Sequence, residues 1–477
     1  MSEAALKALE AQVQAEIAYL DLTAASWVRP RSVNGQDVHD VVVVGAGLSG
    51  LGIGYGLLRE QVRNIVLIDR AAPGHEGPWL SYARMPTLRT AKQLIGPDLG
   101  TPSVSFPAWY AARHGQAAWD ALALSSTVDF VDYLRWFRRV TGVPVRNGVS
   151  LLDVQPHQDV LALAIDNNGQ RETWYTRKLV LATGLDSSGP LLPAMVTNHI
   201  PPALRAHSSD AIDFTALRGK RVAVLGAGAS AFDNAAVALE HGAAEVHLFA
   251  RRESIEQPAI RTPLENAGLY RHYPDLDDDQ RWRIMRRLAR HSTPPPPYSV
   301  ERCTRHAAFR LSTGCRWEAV RELDGVIHID STLGPVQADF LILATGFSID
   351  VTRRLELAGL VHDIARWEDV YDAPPDDRPD LVAALAQSPY LGASFEYTAK
   401  PGHDAPWLHD IHDFGIAGLL SMGRISQGIP GMKFGPARLV QGLTRSLFLA
   451  DADWHEANLI AADTAALAGA PDPGSVI

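Results

Sequence analysis

Cysteine is nearly absent from this chain: Cys303 and Cys315 are its two thiols. They form neither a CxxC nor a CxxxxC pair, which argues against a disulfide framework, a zinc ribbon or a redox dithiol. No metal site is expected. No apolar run approaches the roughly 20 residues that span a bilayer. The start, Met1-Ser-Glu-Ala-Ala-Leu-Lys7, lacks the basic end and apolar core of a secretory signal. A cytoplasmic protein with no membrane partner is expected. Excess basic charge is missing too: 44 Lys and Arg stand against 54 Asp and Glu, a formal net charge of -10. That balance argues against a nucleic-acid partner, which calls for a basic face.

What the chain does contain is one signature written twice. Val41-Val-Val-Val44 runs into Gly45-Ala-Gly47-Leu-Ser49-Gly50, and Arg221-Val-Ala-Val-Leu225 runs into Gly226-Ala-Gly228-Ala229-Ser230-Ala231. Each reads as a buried parallel strand, a tight glycine turn and the start of a helix, the geometry that receives a dinucleotide pyrophosphate. Each copy then leads to a hairpin pattern and a closing strand, Leu181-Ala-Thr-Gly184 in the first and Leu343-Ala-Thr345-Gly346 in the second. A single glycine motif is weak evidence. Two complete copies require several independent elements in the same order.

The fold expected is α/β, with two Rossmann-like dinucleotide-binding domains, the first discontinuous in sequence. Residues 1–37 read as a helical extension, packed on the main body or on a partner subunit, so a homodimer is possible. Residues 38–215 read as the first part of one dinucleotide-binding domain. Residues 216–338 read as the second dinucleotide-binding domain with a helical insertion at 254–312, and 339–477 as the rest of the first domain and a C-terminal segment.

The two sites differ at the ends of their second strands. Asp69, after Asn64-Ile-Val-Leu-Ile68, places a carboxylate where ribose hydroxyls need an acceptor and where a 2′-phosphate is repelled. FAD or NAD therefore suits the first site, with Gly45, Gly47, Ser49 and Gly50 at the pyrophosphate and Arg70 as a partner at the adenosine end. In the second copy, Val246-His-Leu-Phe249 ends in Ala250-Arg251-Arg252, with no acid. Forked guanidiniums suit a 2′-phosphate, hence NADPH, held also by Gly226, Gly228, Ala229 and Ser230.

With these residues in place, the chain resembles the class B flavin-dependent monooxygenases: the flavin-containing monooxygenases, Baeyer–Villiger monooxygenases and N-hydroxylases. Gly77-Pro-Trp79 is similar to their GGxW turn, in which the Trp packs near the flavin, and Ala344-Thr345-Gly346-Phe347 to their ATGF strand, which returns the chain to FAD. The family's interdomain fingerprint is matched only at His207-Ser208; Pro201, Ala203 and Ala211 stand where a Phe, a Gly and an aromatic would be. The resemblance implies an enzyme that binds FAD and NADPH, takes O2 and a small-molecule substrate, and transfers one oxygen atom through a C4a-(hydro)peroxyflavin. The fingerprint departures tilt the expectation toward nitrogen or sulfur oxidation, with Baeyer–Villiger oxidation of a ketone as the alternative. An NADPH oxidase or a flavin disulfide reductase are the readings from other classes. His207 is the candidate for coupling motion of the NADPH domain to the flavin. Arg89, with Thr90 beside it, and Arg424 are the candidates near the flavin, the two arginines as cations facing a developing negative charge.

Overall fold

The computed structural model describes residues 2–185, 188–255, 265–291, 294–426 and 428–468. Its first sheet runs in the order Val145–Asn147, Ile65–Asp69, Gln36–Val44, Gln170–Gly184, Val160–Asn167, Val149–His157. The strands around Gln36–Val44 pair in parallel, and Ile411–Gly415 adds in parallel to the far half of Gln170–Gly184. Val41, Val42 and Val43 have no exposed surface, which is why this strand reads as unbroken β-branched apolar sequence rather than as an alternation. The hairpin pattern of the first copy is a three-stranded meander, with turns at Gln158, which has a φ of +55°, and at Asn168-Gly169.

The second sheet is fully parallel, in the order Phe309–Ser312, Glu245–Phe249, Arg221–Leu225, Phe340–Leu343, Arg205–His207. Trp317–Leu323, Val326–Ser331 and Gly334–Ala338 form a separate antiparallel meander, one strand more than the sequence pattern suggests. Three boundaries therefore move. Arg205–His207 belongs to the second sheet and not to the segment ending at 215. Phe340–Leu343 also belongs there and not to the segment beginning at 339. Phe309–Ser312, taken as part of the helical insertion, is the outer strand. The reason is the same in both copies: the strand ending in Ala-Thr-Gly pairs with its own glycine-turn strand, and Leu341 registers on Ala223 as Leu179 does on Val42. Of the insertion, 256–264 and 292–293 lie outside the described residues.

The helix Leu48–Arg59 carries four internal glycines because it is pressed from three sides. A Cβ at Gly54 would lie 2.8 Å from Val143 and 2.9 Å from Leu67 of the sheet side, and one at Gly56 would lie 2.9 Å from Val440. Val440 belongs to the helix Gly435–Ala450. Interior glycine costs helix propensity by about 1 kcal/mol relative to alanine, and this close packing offsets it. Of the helical extension expected over 1–37, the helix itself ends at Tyr19, and it packs on the main body. Val13 is buried in the main core, and Gln14 donates to the Val140 carbonyl at 2.9 Å. A third, helical lobe centres on buried Tyr273, Trp282 and Trp367. Among the described residues no helix is long and apolar enough to cross a membrane.

Candidate active site between the two glycine turns

The two glycine turns are built alike. Gly45 has a φ of +103° and Gly226 a φ of +126°. A Cβ on Gly45 would overlap the Ala182 carbonyl oxygen, and one on Gly226 the Ala344 carbonyl oxygen. Only glycine meets both demands. The Gly45 amide donates to Ile68 O at 2.7 Å, and the Gly226 amide to Phe249 O at 3.0 Å. Each turn then starts a twelve-residue helix, Leu48–Arg59 or Ala229–Glu240, whose cap glycine leaves the first amides without a side-chain partner. Open amides at a helix start fit a diphosphate.

Both turns open onto one continuous cleft of about 2220 Å³. Pockets for one drug-sized ligand run to roughly 1,000 Å³, so this space accommodates two dinucleotides. At the first turn the cleft is lined by Gly45, Gly47, Ser49, Asp69, Arg70 and Trp79, and at the second by Gly226, Gly228, Ala229, Ser230, Arg251 and Arg252. Thr345, Gly346, Arg89 and Arg424 also line it. Three residues singled out in the sequence do not: Gly50, Thr90 and His207. Gly50 instead lets the helix seat on its turn, where a Cβ would overlap the Gly45 carbonyl. Thr90 lies outside the cleft wall.

Asp69 accepts from the Ala46 amide at 2.9 Å and from the Ala71 amide at 2.8 Å, which fixes its carboxylate at the strand end. Trp79 stands edge-on to Phe130, with ring centres 4.9 Å apart. Arg89 pairs with Asp233, a buried acid on the second glycine-turn helix, so its charge is held from across the cleft. Ser299 Oγ donates to the other oxygen of Asp233 at 2.7 Å. Arg84, from the same loop as Arg89, donates to the Asp210 carbonyl at 2.9 Å. Arg424 faces Glu265 at 3.4 Å.

His207 is 1% exposed, in the edge strand of the second sheet. Its ring stands edge-on to Phe347 at 5.4 Å, and its Nδ1 lies 2.7 Å from Ser209 Oγ. Phe347 follows the Ala344-Thr345-Gly346 turn in the segment leaving the second sheet. That segment runs beside the one that enters it: the Leu191 amide donates to Gly346 O at 2.9 Å and the Ser348 amide to Gly189 O at 3.0 Å. Thr345 Oγ1 donates to the Leu191 carbonyl, so this hydroxyl ties the paired crossings together.

Sequence reasoning missed a buried polar group in the cleft wall, where Thr183, Arg354 and Glu356 line it. Arg354 has a side chain without exposed surface; it contacts Glu356 at 2.7 Å and Asp413 at 3.3 Å. Tyr397 donates to Asp413 at 2.7 Å, and Arg354 reaches Thr183 of the first Ala-Thr-Gly turn at 3.3 Å. Burial works against the Arg354 charge, but Asp413, Tyr397 and Glu356 outweigh it and hold the guanidinium above its ordinary pKa. No sequence pattern signals this group, because its members come from separate segments. Both cysteines are buried, and burial pushes the Cys303 thiol up to about 12. They sit in separate apolar clusters, and neither lines the cleft.

The family model described as pyridine nucleotide-disulphide oxidoreductase matches residues 39–268. A FAD-dependent urate hydroxylase from Xanthomonas campestris pv. campestris is 38% identical over 453 residues, covering 94% of each chain. Among solved structures, ornithine hydroxylase from Pseudomonas aeruginosa matches with a TM-score of 0.68 at 15% identity, over 86% of this chain and all of that one. The desferrioxamine-pathway cadaverine monooxygenase from Erwinia amylovora matches with a TM-score of 0.66 at 14% identity, over 86% of this chain and 95% of its own.

Proposed function

The chain belongs to the class B flavin-dependent monooxygenases, in the family of the FAD-dependent urate hydroxylase, and from that premise we propose that it hydroxylates urate or a closely related oxopurine. It is an NADPH-dependent flavoprotein that uses FAD and O2. The observation that carries the reading is the pair of glycine turns opening on one cleft, in a chain related to a urate hydroxylase along almost its whole length.

In this reading Gly45, Gly47 and Ser49 receive the FAD diphosphate, Asp69 accepts the adenosine ribose hydroxyls, and Arg70 flanks the adenine end. Trp79, Thr345 and Gly346 border the flavin end. Gly226, Gly228, Ala229 and Ser230 receive the NADPH diphosphate, with Arg251 at the adenosine end and Arg252 in the cleft wall beside it. A flavin held there would supply hydride acceptance from NADPH and activation of O2. The protein orients and shields. The loop around Arg89 closes one side of the cleft, and Asp233 keeps the guanidinium where negative charge develops. Ile416, Leu419, Ile429 and Met432 give an apolar wall that excludes water, and Arg424 on the same stretch offers a planar fork to an anionic oxopurine edge. A flavin disulfide reductase requires a thiol pair at the flavin, and the buried, separated Cys303 and Cys315 do not supply one.

The test is a panel of urate, xanthine, ornithine, a thioether and a cyclic ketone, with NADPH consumption corrected for released peroxide and product mass determined. Urate is expected to give product gaining one oxygen, stoichiometric with NADPH. Complete conversion of NADPH to peroxide with urate overturns the substrate. A product from ornithine or the thioether instead returns the chemistry to nitrogen or sulfur oxidation.

A further inference from the structure

We infer that Arg316, and not Arg252, is the partner of Arg251 in holding the 2′-phosphate of NADPH; the inference rests on the NADPH reading above. Two strands of the second sheet, Glu245–Phe249 and Phe309–Ser312, run in parallel and end level, with Phe249 registered on Ser312. The two chain segments that leave this edge stay zipped together. The Ala250 amide donates to Ser312 O at 2.8 Å, the Cys315 amide to Ala250 O at 2.9 Å, and the Gly314 amide to Arg252 O at 2.7 Å. Arg316 thereby stands beside Arg251-Arg252 at the adenosine end of the cleft, and all three line it.

The three guanidiniums are not equivalent. Arg252 donates to the Arg290 carbonyl at 2.8 Å, just past the end of the helix Asp278–Ala289. A cation on the carbonyls of a helix end is a favourable structural contact. Arg290 is held in turn by Asp376 and Asp377, so Arg252 serves to tie the helical lobe to the sheet. Arg251 and Arg316 are exposed and have no acidic partner among the described residues. The Arg316 backbone is nevertheless fixed: its amide donates to Thr332 Oγ1 at 3.0 Å, and its carbonyl accepts from the Thr332 amide at 2.9 Å. A rigid backbone that carries an uncommitted fork is the arrangement that recognises a phosphate dianion. Glu253 also lines this end, with its carboxylate against Gly314.

The experiment is calorimetric titration of the FAD-loaded full chain with 2′,5′-ADP and with 5′-AMP, probes that differ by the phosphate in question. Wild type is expected to prefer 2′,5′-ADP, the more so at low salt. Arg316→Ala and Arg251→Ala should each weaken 2′,5′-ADP binding by about tenfold or more and leave 5′-AMP binding unchanged. Arg316→Lys should fall between. Arg252→Ala should keep the preference while lowering the thermal midpoint. If Arg316→Ala, folded by its thermal midpoint, keeps the full wild-type preference while Arg252→Ala loses it, the inference is overturned and the NADPH reading stands. If wild type shows no preference for 2′,5′-ADP, the NADPH reading itself falls, and the inference with it.

Discussion

Arg89 is read from sequence as a cation near the flavin, and the structure adds the residue that aims it. Asp233 lies on the opposite nucleotide-binding unit and uses one oxygen for Arg89 and the other for Ser299. Groups that share one network lose function together. Arg89→Ala and Asp233→Asn are each expected to raise the peroxide released per NADPH several-fold, and the double variant should be no worse than the poorer single. Additive losses in coupled product assays would show that the two act separately. His412 makes a second residue-level prediction. It is buried on the strand Ile411–Gly415, and burial lowers its pKa to about 3 from an ordinary 6.5. The folded protein therefore keeps the ring neutral where the unfolded chain protonates it. Its contribution is fully present above pH 6.5 and is lost progressively as the pH falls toward 3, by up to about 1.4 kcal/mol per unit. His412→Gln should show a thermal midpoint that falls less between pH 7 and pH 5 than the wild-type midpoint does. Parallel curves would remove His412 from the acid response.

At the scale of elements, the glycine turns separate the two cofactors experimentally. Gly45→Ala and Gly226→Ala each force a Cβ into a carbonyl of the adjacent strand, at a φ that alanine avoids. Gly45→Ala is expected to purify with less than a tenth of wild-type flavin absorbance. Gly226→Ala should remain yellow and lose NADPH affinity by at least tenfold, measured by anaerobic flavin reduction. The reverse pattern would exchange the two sites. These turns were legible because their requirements are local: β-branched residues before, glycine at the positive φ, and a charge of chosen sign at the next strand end. The strand Phe309–Ser312 was not, because four residues inside a helical stretch carry no period, and only pairing with Glu245–Phe249 makes them a strand. Thr90 is a candidate because it lies in the stretch after the Gly77-Pro-Trp79 turn, yet of that stretch Arg89 lines the cleft and Thr90 does not.

At the scale of the molecule, sequence conveyed two nucleotide units and their order, but not what joins them. The crossings run side by side through Leu191 and Gly346, the His207 ring stands against Phe347 at 5.4 Å, and Arg84 and Arg89 bridge the halves. Each of these links pairs residues far apart along the chain, and none follows a spacing rule. The Arg354–Asp413–Tyr397 group was hidden for the same reason. In the proposed function one polypeptide couples NADPH oxidation to transfer of an oxygen atom from O2 to an oxopurine. Turnover of the FAD-loaded protein with NADPH and urate under 18O2, followed by mass analysis of the product, tests it most directly. One 18O atom is expected in the product for each NADPH consumed; product that carries oxygen only from water, or label found solely in hydrogen peroxide, would contradict oxygen transfer from O2.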